Sequence, residues 1–210
     1  MRGSDSGCED TENATEGRQE ALQKPEEGRQ RSMRRSEKRE RLAEALIDKL
    51  NTTSLEDLRI QELCEMAGVS KSTFYRLFTD KYDLAFWIYK NQADQVVTNL
   101  PDLSQWSEWT YRICDVIMKN KTFYRNYASY RGQNSLFECI LRYYQQNTFT
   151  YRKKRNIEMT EDQRFAVYAF SVAGAQAFVD WILNGFSPSV ETFQRRMELC
   201  VPECIREFYK

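Results

Sequence analysis

From residue 36 to the C-terminus the apolar residues of this chain recur at intervals of three and four, and no stretch sustains the alternation of a strand. Leu42, Leu46 and Leu50, with Ala43 and Ile47, make a first helical face. Ile60, Leu63, Cys64 and Ala67 make a second, shorter one, and Leu84 and Ile88 begin a helix that continues past Lys90. Trp106, Trp109, Ile113 and Ile117 mark helix within 103–120. A short helix follows over 123–130, and Phe137, Ile140, Leu141 and Tyr144 mark another within 134–155. Thr160 is placed to cap a long apolar helix that stops before Gly185 and Pro188. Ser189 is placed to cap the last helix, with Phe193, Met197, Cys200, Ile205 and Phe208 on its face. Pro202 is expected to kink or restart it. With 4 Pro and 8 Gly in 210 residues, the composition disfavours a fold of repeated short strands and tight turns. The class is all-α.

Residues 1–33 read as a disordered extension. Asp, Glu, Gln, Arg, Gly and Ser dominate, and such a segment buries too little surface to offset its ordering entropy. Within 29–41, Arg29, Arg31, Arg34, Arg35, Lys38, Arg39 and Arg41 face only Glu37 and Glu40. That run reads either as a solvated helix start or as an arm for nucleic-acid phosphates, with Arg34, Arg35 and Lys38 as its candidate contacts. The organisation expected is an extension over 1–33, a helix-turn-helix domain over 34–82, and a larger helical domain over 83–210.

Residues 63–84, LCEMAGVSKSTFYRLFTDKYDL, carry the functional signal. Two short helices joined by Ala-Gly-Val-Ser form a helix-turn-helix. Ala67 is small where the helices cross, Gly68 takes the turn, Val69 plugs the corner, and Ser70 suits an N-cap. Phe74 and Phe78, four apart, anchor the second helix. Lys71, Ser72, Thr73, Tyr75 and Arg76 are left to face outward near its N-terminal end, where a recognition helix meets base edges and phosphates.

The stretch Thr73-Phe74-Tyr75-x-x-Phe78-x-Asp80-Lys81-Tyr82-x-Leu84 resembles the TetR/AcrR family of bacterial transcriptional regulators, over about residues 36–90. The resemblance implies a three-helix DNA-binding domain on a helical domain that dimerises and holds a small-molecule effector. It implies phosphate contacts from Tyr75 and Lys81, and base or phosphate contacts from Lys71, Ser72 and Thr73. Arg59 stands where the family commonly has a capping Thr; it is a poor cap, but it can supply the phosphate contact as a cation. Phe123-Tyr124, Ser135-Leu136, Ala173-Gly174 and Trp181-Ile182-Leu183-x-Gly185 resemble the effector domains of a subgroup that includes regulators of dihydroxyacetone kinase operons. Some members of that subgroup are co-activators, so the direction of regulation stays open.

The resemblance also implies that the last two long helices pair with those of a second copy. Ala173, Gly174 and Ala177 permit close approach, and Phe178, Trp181, Phe193 and Met197 are the candidate anchors, an internal core helix being the other reading. For an effector pocket the candidates are Trp106, Trp109, Tyr124, Tyr127, Tyr144, Phe170 and Gln176, with plain core packing the alternative for each. The run Arg152, Lys153, Lys154, Arg155 reads as a solvated helix end.

Other classes are excluded or disfavoured. There is no histidine, which removes His-ligated metals and His-dependent acid–base catalysis. The six cysteines include no CxxC and no clustered quartet, so neither a metal nor another cofactor is expected, and reduced thiols fit a cytoplasmic protein. Residues 165–183 approach membrane length but contain Gln176 and Asp180, so a buried helix and no membrane association are expected. The net charge of zero rules out coating of nucleic acid by bulk charge but not a local basic patch. The expectation is a dimeric repressor released from its double-stranded operator by a small molecule. The alternative is a co-activator of the same fold that binds its partner without reading DNA.

Overall fold

A computed structural model describes the backbone of residues 9–99, 106–154, 156 and 158–209, with side chains within 29–98, 107–150, 152–153, 156 and 158–208. Among these residues there is helix and no strand. The order is α1 (Glu9–Lys49), α2 (Ile60–Ala67), α3 (Lys71–Leu77), α4 (Lys81–Asn99), α5 (Trp106–Lys119), α6 (Lys121–Ser129), α7 (Leu136–Lys154), α8 (Glu161–Leu183), α9 (Val190–Leu199) and a terminal 3-10 helix (Glu203–Tyr209).

The chain divides into two units, Met1–Arg41 and Leu42–Lys210. In the first, α1 starts at Glu9, inside the stretch expected to be disordered. Composition argued against tertiary burial there, but Ala14, Glu16, Arg18, Glu20, Ala21, Leu22 and Lys24 are strong helix formers, and local propensity needs no core. Pro25 withholds one backbone N–H from that helix.

The second unit holds the helix-turn-helix and the later helices around one continuous core, so the expected boundary at 82/83 falls inside it. Leu42 and Leu46 of α1 and Leu50 just beyond its end pack in that core, as do Leu63, Cys64 and Ala67 of α2 and Phe74 and Leu77 of α3. Phe74 meets Phe78 with ring centres 5.9 Å apart, and Phe78 meets Trp87 of α4 at 6.0 Å. Further along, α4 packs on α5 and α7, α5 on α6 and α9, and α8 on α6, α7 and the 3-10 helix.

The expected punctuation is present. Ser70 Oγ accepts from the Thr73 N–H at 3.2 Å, and Asp80 Oδ1 accepts from the N–H groups of Tyr82 and Asp83 at 2.8 and 2.7 Å. Thr160 and Gln163 form a reciprocal capping box, with Thr160 Oγ1 accepting at 3.2 Å and Gln163 Oε1 at 3.1 Å. After α9 the chain passes Pro202 and restarts as the 3-10 helix. α8 is long and apolar enough to cross a membrane, yet its inner side is built into the core through Val167, Phe170, Ala175, Val179 and Ile182. Arg152, expected to be solvated, is buried, with its guanidinium 3.3 Å from the centre of the Phe208 ring. Packing on an aromatic face replaces part of the hydration it gives up.

Phe74 has no exposed surface. Phe74→Ala is expected to cost about 3–5 kcal/mol, read from the shift in the urea unfolding midpoint.

Candidate nucleic-acid interface and effector region

The turn between α2 and α3 is fixed by backbone geometry. Gly68 sits at φ 60°, ψ 39°, where a side chain is strained. Its N–H reaches Glu65 O at 3.3 Å, and the Val69 N–H reaches Cys64 O at 2.9 Å, which closes the end of α2. Val69 is buried in the corner. With Phe74 and Leu77 facing inward, Lys71, Ser72, Tyr75 and Arg76 are exposed and Thr73 is half-buried. Tyr75 is 58% exposed, with its ring edge-on to Phe74 at 5.5 Å.

Charge around the turn is balanced. Lys71 Nζ donates to Gln61 Oε1 at 3.1 Å, and Gln61 Nε2 donates to Glu65 Oε1 at 2.9 Å. Gln61, Glu65, Ser70 and Lys71 thus rim an open groove of about 370 Å³ over the turn. Sequence reasoning passed over Gln61, because its position beside Lys71 depends on how the two helices cross. Arg59 is exposed at the N-cap of α2 and makes no side-chain cap, as expected for that residue type.

Lys81 has backbone partners that the sequence does not announce. Its ammonium donates to Leu58 O at 2.9 Å and also to Glu56 O, both in the segment ahead of α2. Burial holds its pKa below the usual lysine value, against the opposing pull of Asp57, Glu56 and Asp80.

On α1, Arg34 and Arg35 are exposed and Lys38 is half-buried. At 3.6 residues per turn, Arg31, Arg34, Arg35, Lys38 and Arg41 share one side of the helix, with Glu37 and Glu40 turned away from it.

The effector candidates separate into three groups. Tyr124 and Tyr127 are core residues: Tyr124 donates to Gln92, and Tyr127 to Asn134 O at 2.6 Å. Burial pushes both phenols upward, so they stay neutral donors. Burial likewise pushes the Cys114 thiol up to about 12 and the Cys139 thiol up to about 11. Trp109, Tyr144 and Phe170 line an apolar cavity of about 10 Å³ with Ile140, Ala175 and others. Their rings meet in sequence, Trp109 with Tyr144 at 6.3 Å and Tyr144 with Phe170 at 6.0 Å. The Trp109 indole N–H is buried without an acceptor among the described residues. Gln176 lies on the outer face of α8, bonded to Asp180 Oδ1 at 2.8 Å, and so is not part of the cavity. The side chain of Trp106 lies outside the described residues.

The expected pairing anchors are corrected in the same way. Gly174, Phe178, Trp181, Phe193 and Met197 are buried within the chain. Trp181 stacks on Phe193 at 5.1 Å, and Gly174, Phe178 and Met197 line the apolar cavity. Only Ala173 and Ala177 of the expected set reach the outer face. That face is carried instead by Phe165, 71% exposed, and Tyr168, 55% exposed, with Ala169, Val172 and Ala173 following at helical spacing. Leu199, at the end of α9, is also exposed. The spacing of Phe165, Tyr168, Val172 and Ala173 was the available signal for this face.

Contacts also join the helix-turn-helix to the later helices. Tyr82 of α4 stacks on Tyr130, at the end of α6, with ring centres 4.0 Å apart and planes 9° from parallel. Asn126 Nδ2 donates to Leu50 O at 3.0 Å, and the Arg142 guanidinium lies 4.9 Å from the Phe86 ring centre.

Comparison with known proteins agrees with this architecture. Residues 104–201 match the family described as "Transcriptional regulator C-terminal region", of the TetR type. The chain is 20% identical over 84 residues to the HTH-type dhaKLM operon transcriptional activator DhaS of Lactococcus lactis subsp. lactis (strain IL1403). That match spans 40% of this chain and 45% of the relative, less than half of either. Among solved structures, the dihydroxyacetone kinase operon activator DhaS aligns with a TM-score of 0.59 at 15% identity, covering 82% of this chain and 98% of that one. A structure described as a TetR-family transcriptional regulator from Syntrophomonas wolfei aligns at 0.53 with 17% identity, covering 80% and 97%. A helix-turn-helix joined to a helical region of this type makes the chain similar to TetR-type transcriptional regulators, in its C-terminal region by sequence and over most of its length by fold.

Proposed function

We propose that this regulator reads duplex DNA as a homodimer and that a small-molecule effector releases it from its operator. The observation that carries the reading is α3. Its inner side is locked by Phe74 and Leu77, and Lys71, Ser72, Tyr75 and Arg76 are presented outward. Residues held this way meet a major groove with the backbone already ordered, so that only their side chains lose freedom at binding. Thr73 at the N-terminal turn and the cation of Arg59 extend the same set toward phosphates. Arg34, Arg35 and Lys38 supply the charge that the balanced turn lacks.

The outer face of α8, with Phe165, Tyr168, Ala173 and Ala177, is the dimer surface in this reading, and Leu199 of α9 adds to it. A two-fold pairing sets the two recognition helices about 34–36 Å apart, for a pseudo-palindromic site.

The effector enters at the cavity between α5, α7, α8 and α9. At about 10 Å³ it holds no more than about one water, so binding requires these helices to part. Trp109 offers a donor for an acceptor on an otherwise apolar ligand. A ligand that favours the parted arrangement shifts the population away from the DNA-binding one by its differential affinity.

A second reading, a co-activator that does not select DNA, is favoured by the Gln61–Glu65 pair that holds Lys71 and by the activator names of its relatives. Selection from a random duplex library at fixed salt separates the two. Enrichment of a pseudo-palindrome supports a dimeric reader; folded protein that enriches no motif supports the co-activator.

On the selected site, Lys71→Ala and Tyr75→Phe are each expected to weaken binding by about 1–3 kcal/mol, measured by fluorescence anisotropy. Tyr168→Glu combined with Phe165→Glu is expected to yield monomer in sedimentation velocity with unchanged helix content. A dimer that survives both charges removes this face from the proposal.

A further inference from the structure

Gln61 is the second residue of α2, and its side chain reaches across the turn to the first residue of α3. The inner side of α2 is closed by Leu63, Cys64 and Ala67, which leaves Gln61 and Glu65, four apart, on its exposed side. There a chain of hydrogen bonds joins the two helices. Lys71 Nζ donates to Gln61 Oε1 at 3.1 Å, and Gln61 Nε2 donates to Glu65 Oε1 at 2.9 Å. An ammonium only donates and a carboxylate only accepts. The carbonyl end of the amide is thereby turned to α3 and its NH2 end to Glu65, and the opposite orientation would break both bonds.

The chain of bonds lies where a base reader has to be. The N-terminal end of a recognition helix meets base edges, while the helix before it ordinarily crosses the phosphate backbone. The bond to Lys71 draws the Gln61 amide, carried by the earlier helix, to the reading end of the later one. Ser70 beside it is committed to the cap of α3, accepting from the Thr73 N–H at 3.2 Å and donating to Thr73 Oγ1 at 3.0 Å. The floor of the groove is formed by Cys64 and Val69, and burial keeps the Cys64 thiol above its usual pKa, so the floor carries no charge. Each amide atom of Gln61 has used one of its two hydrogen-bonding positions, so one N–H and one lone pair remain among the described residues. Glutamine pairs with adenine through such a set: its carbonyl accepts from N6 and its amide donates to N7. Guanine presents O6 in place of the N6 donor, an acceptor against the carbonyl, and is rejected.

We propose that Gln61 is a base-reading residue and that adenine is the base it selects, with Glu65 and Lys71 holding its amide in the reading orientation. A carboxylate on a surface that meets DNA weakens binding at every sequence. Here that loss is exchanged for discrimination at one base pair. The proposal deepens the DNA-reading function above and rests on it.

The test runs the random-duplex selection at fixed salt on the full chain and on Gln61→Ala, Gln61→Arg and Glu65→Ala. Gln61 and Glu65 are exposed, so the variants are expected to melt with the wild type. The wild-type motif is expected to hold, in each half-site, an A·T pair that Gln61→Ala renders indifferent while the other positions are retained. Affinity of Gln61→Ala for the wild-type site is expected to fall about tenfold. Because glutamine is uncharged, the slope of log K against log salt is expected to stay as it was. Gln61→Arg is expected to move the preference at that pair from A·T to G·C, since arginine suits guanine N7 and O6. Glu65→Ala is expected to bind non-specific duplex more tightly and to lose about threefold in discrimination at the same pair. If Gln61→Ala leaves every position of the motif intact, or weakens all duplexes equally, Gln61 is a strut or a backbone contact and the proposal is overturned. A sensitive position that holds G·C in the wild-type motif overturns the choice of adenine. A folded wild-type chain that selects no duplex removes the DNA-reading function, and this proposal with it. A clear wild-type motif with an insensitive Gln61 removes the proposal alone.

Discussion

Everything presented to a partner by the helix-turn-helix depends on the burial of one ring. Phe74 has no exposed surface and meets both Tyr75 and Phe78, and Phe78 carries the contact on to Trp87 of α4. A helix as short as α3 has little stability of its own, since helix nucleation is costly. Its ring therefore does what length cannot: it fixes the helix's rotation and leaves the opposite side outward. Gly68 sets the direction of approach and Ser70 starts the helix, but neither sets which residues face out.

This part of the molecule was legible in the sequence because its determinants are local. A left-handed glycine, a serine cap and two phenylalanines four apart act within a turn or two of themselves. The partners of Lys81 were not legible, for the opposite reason. The residue type suits a phosphate, and its actual partners are backbone carbonyls 23 and 25 residues earlier. No side-chain pattern announces a carbonyl. The start of α1 was also misjudged, because composition speaks to burial and a solvent-exposed helix needs only propensity.

The effector region was legible as helix and much less so as site. α8 carries apolar or small residues on most of its sides, so periodicity alone could not say which side was turned inward. The aromatic residues were equally ambiguous. Tyr124, Tyr127 and Phe170 are alike in the sequence, yet hydrogen bonding takes the first two into the core and only Phe170 reaches the cavity. That cavity is small and largely apolar, and among the described residues that line it Trp109 has a buried donor without a partner. A tight interior of this kind transmits displacement, because packed side chains have few intermediate arrangements.

The stack of Tyr82 on Tyr130 has a neighbour that matters. An ideal Cβ at Gly132 would lie 2.0 Å from the Tyr130 hydroxyl oxygen, so any side chain there pushes the tyrosine aside. The obstruction is the far end of a mobile side chain, which makes the change cheap for folding. Its cost falls on the stack, because Tyr130 leaves the ring it packs on in the first turn of α4. A single substitution remote from both the outer residues of α3 and the apolar cavity would thus remove a contact between α4 and the end of α6 while leaving each of those surfaces in place.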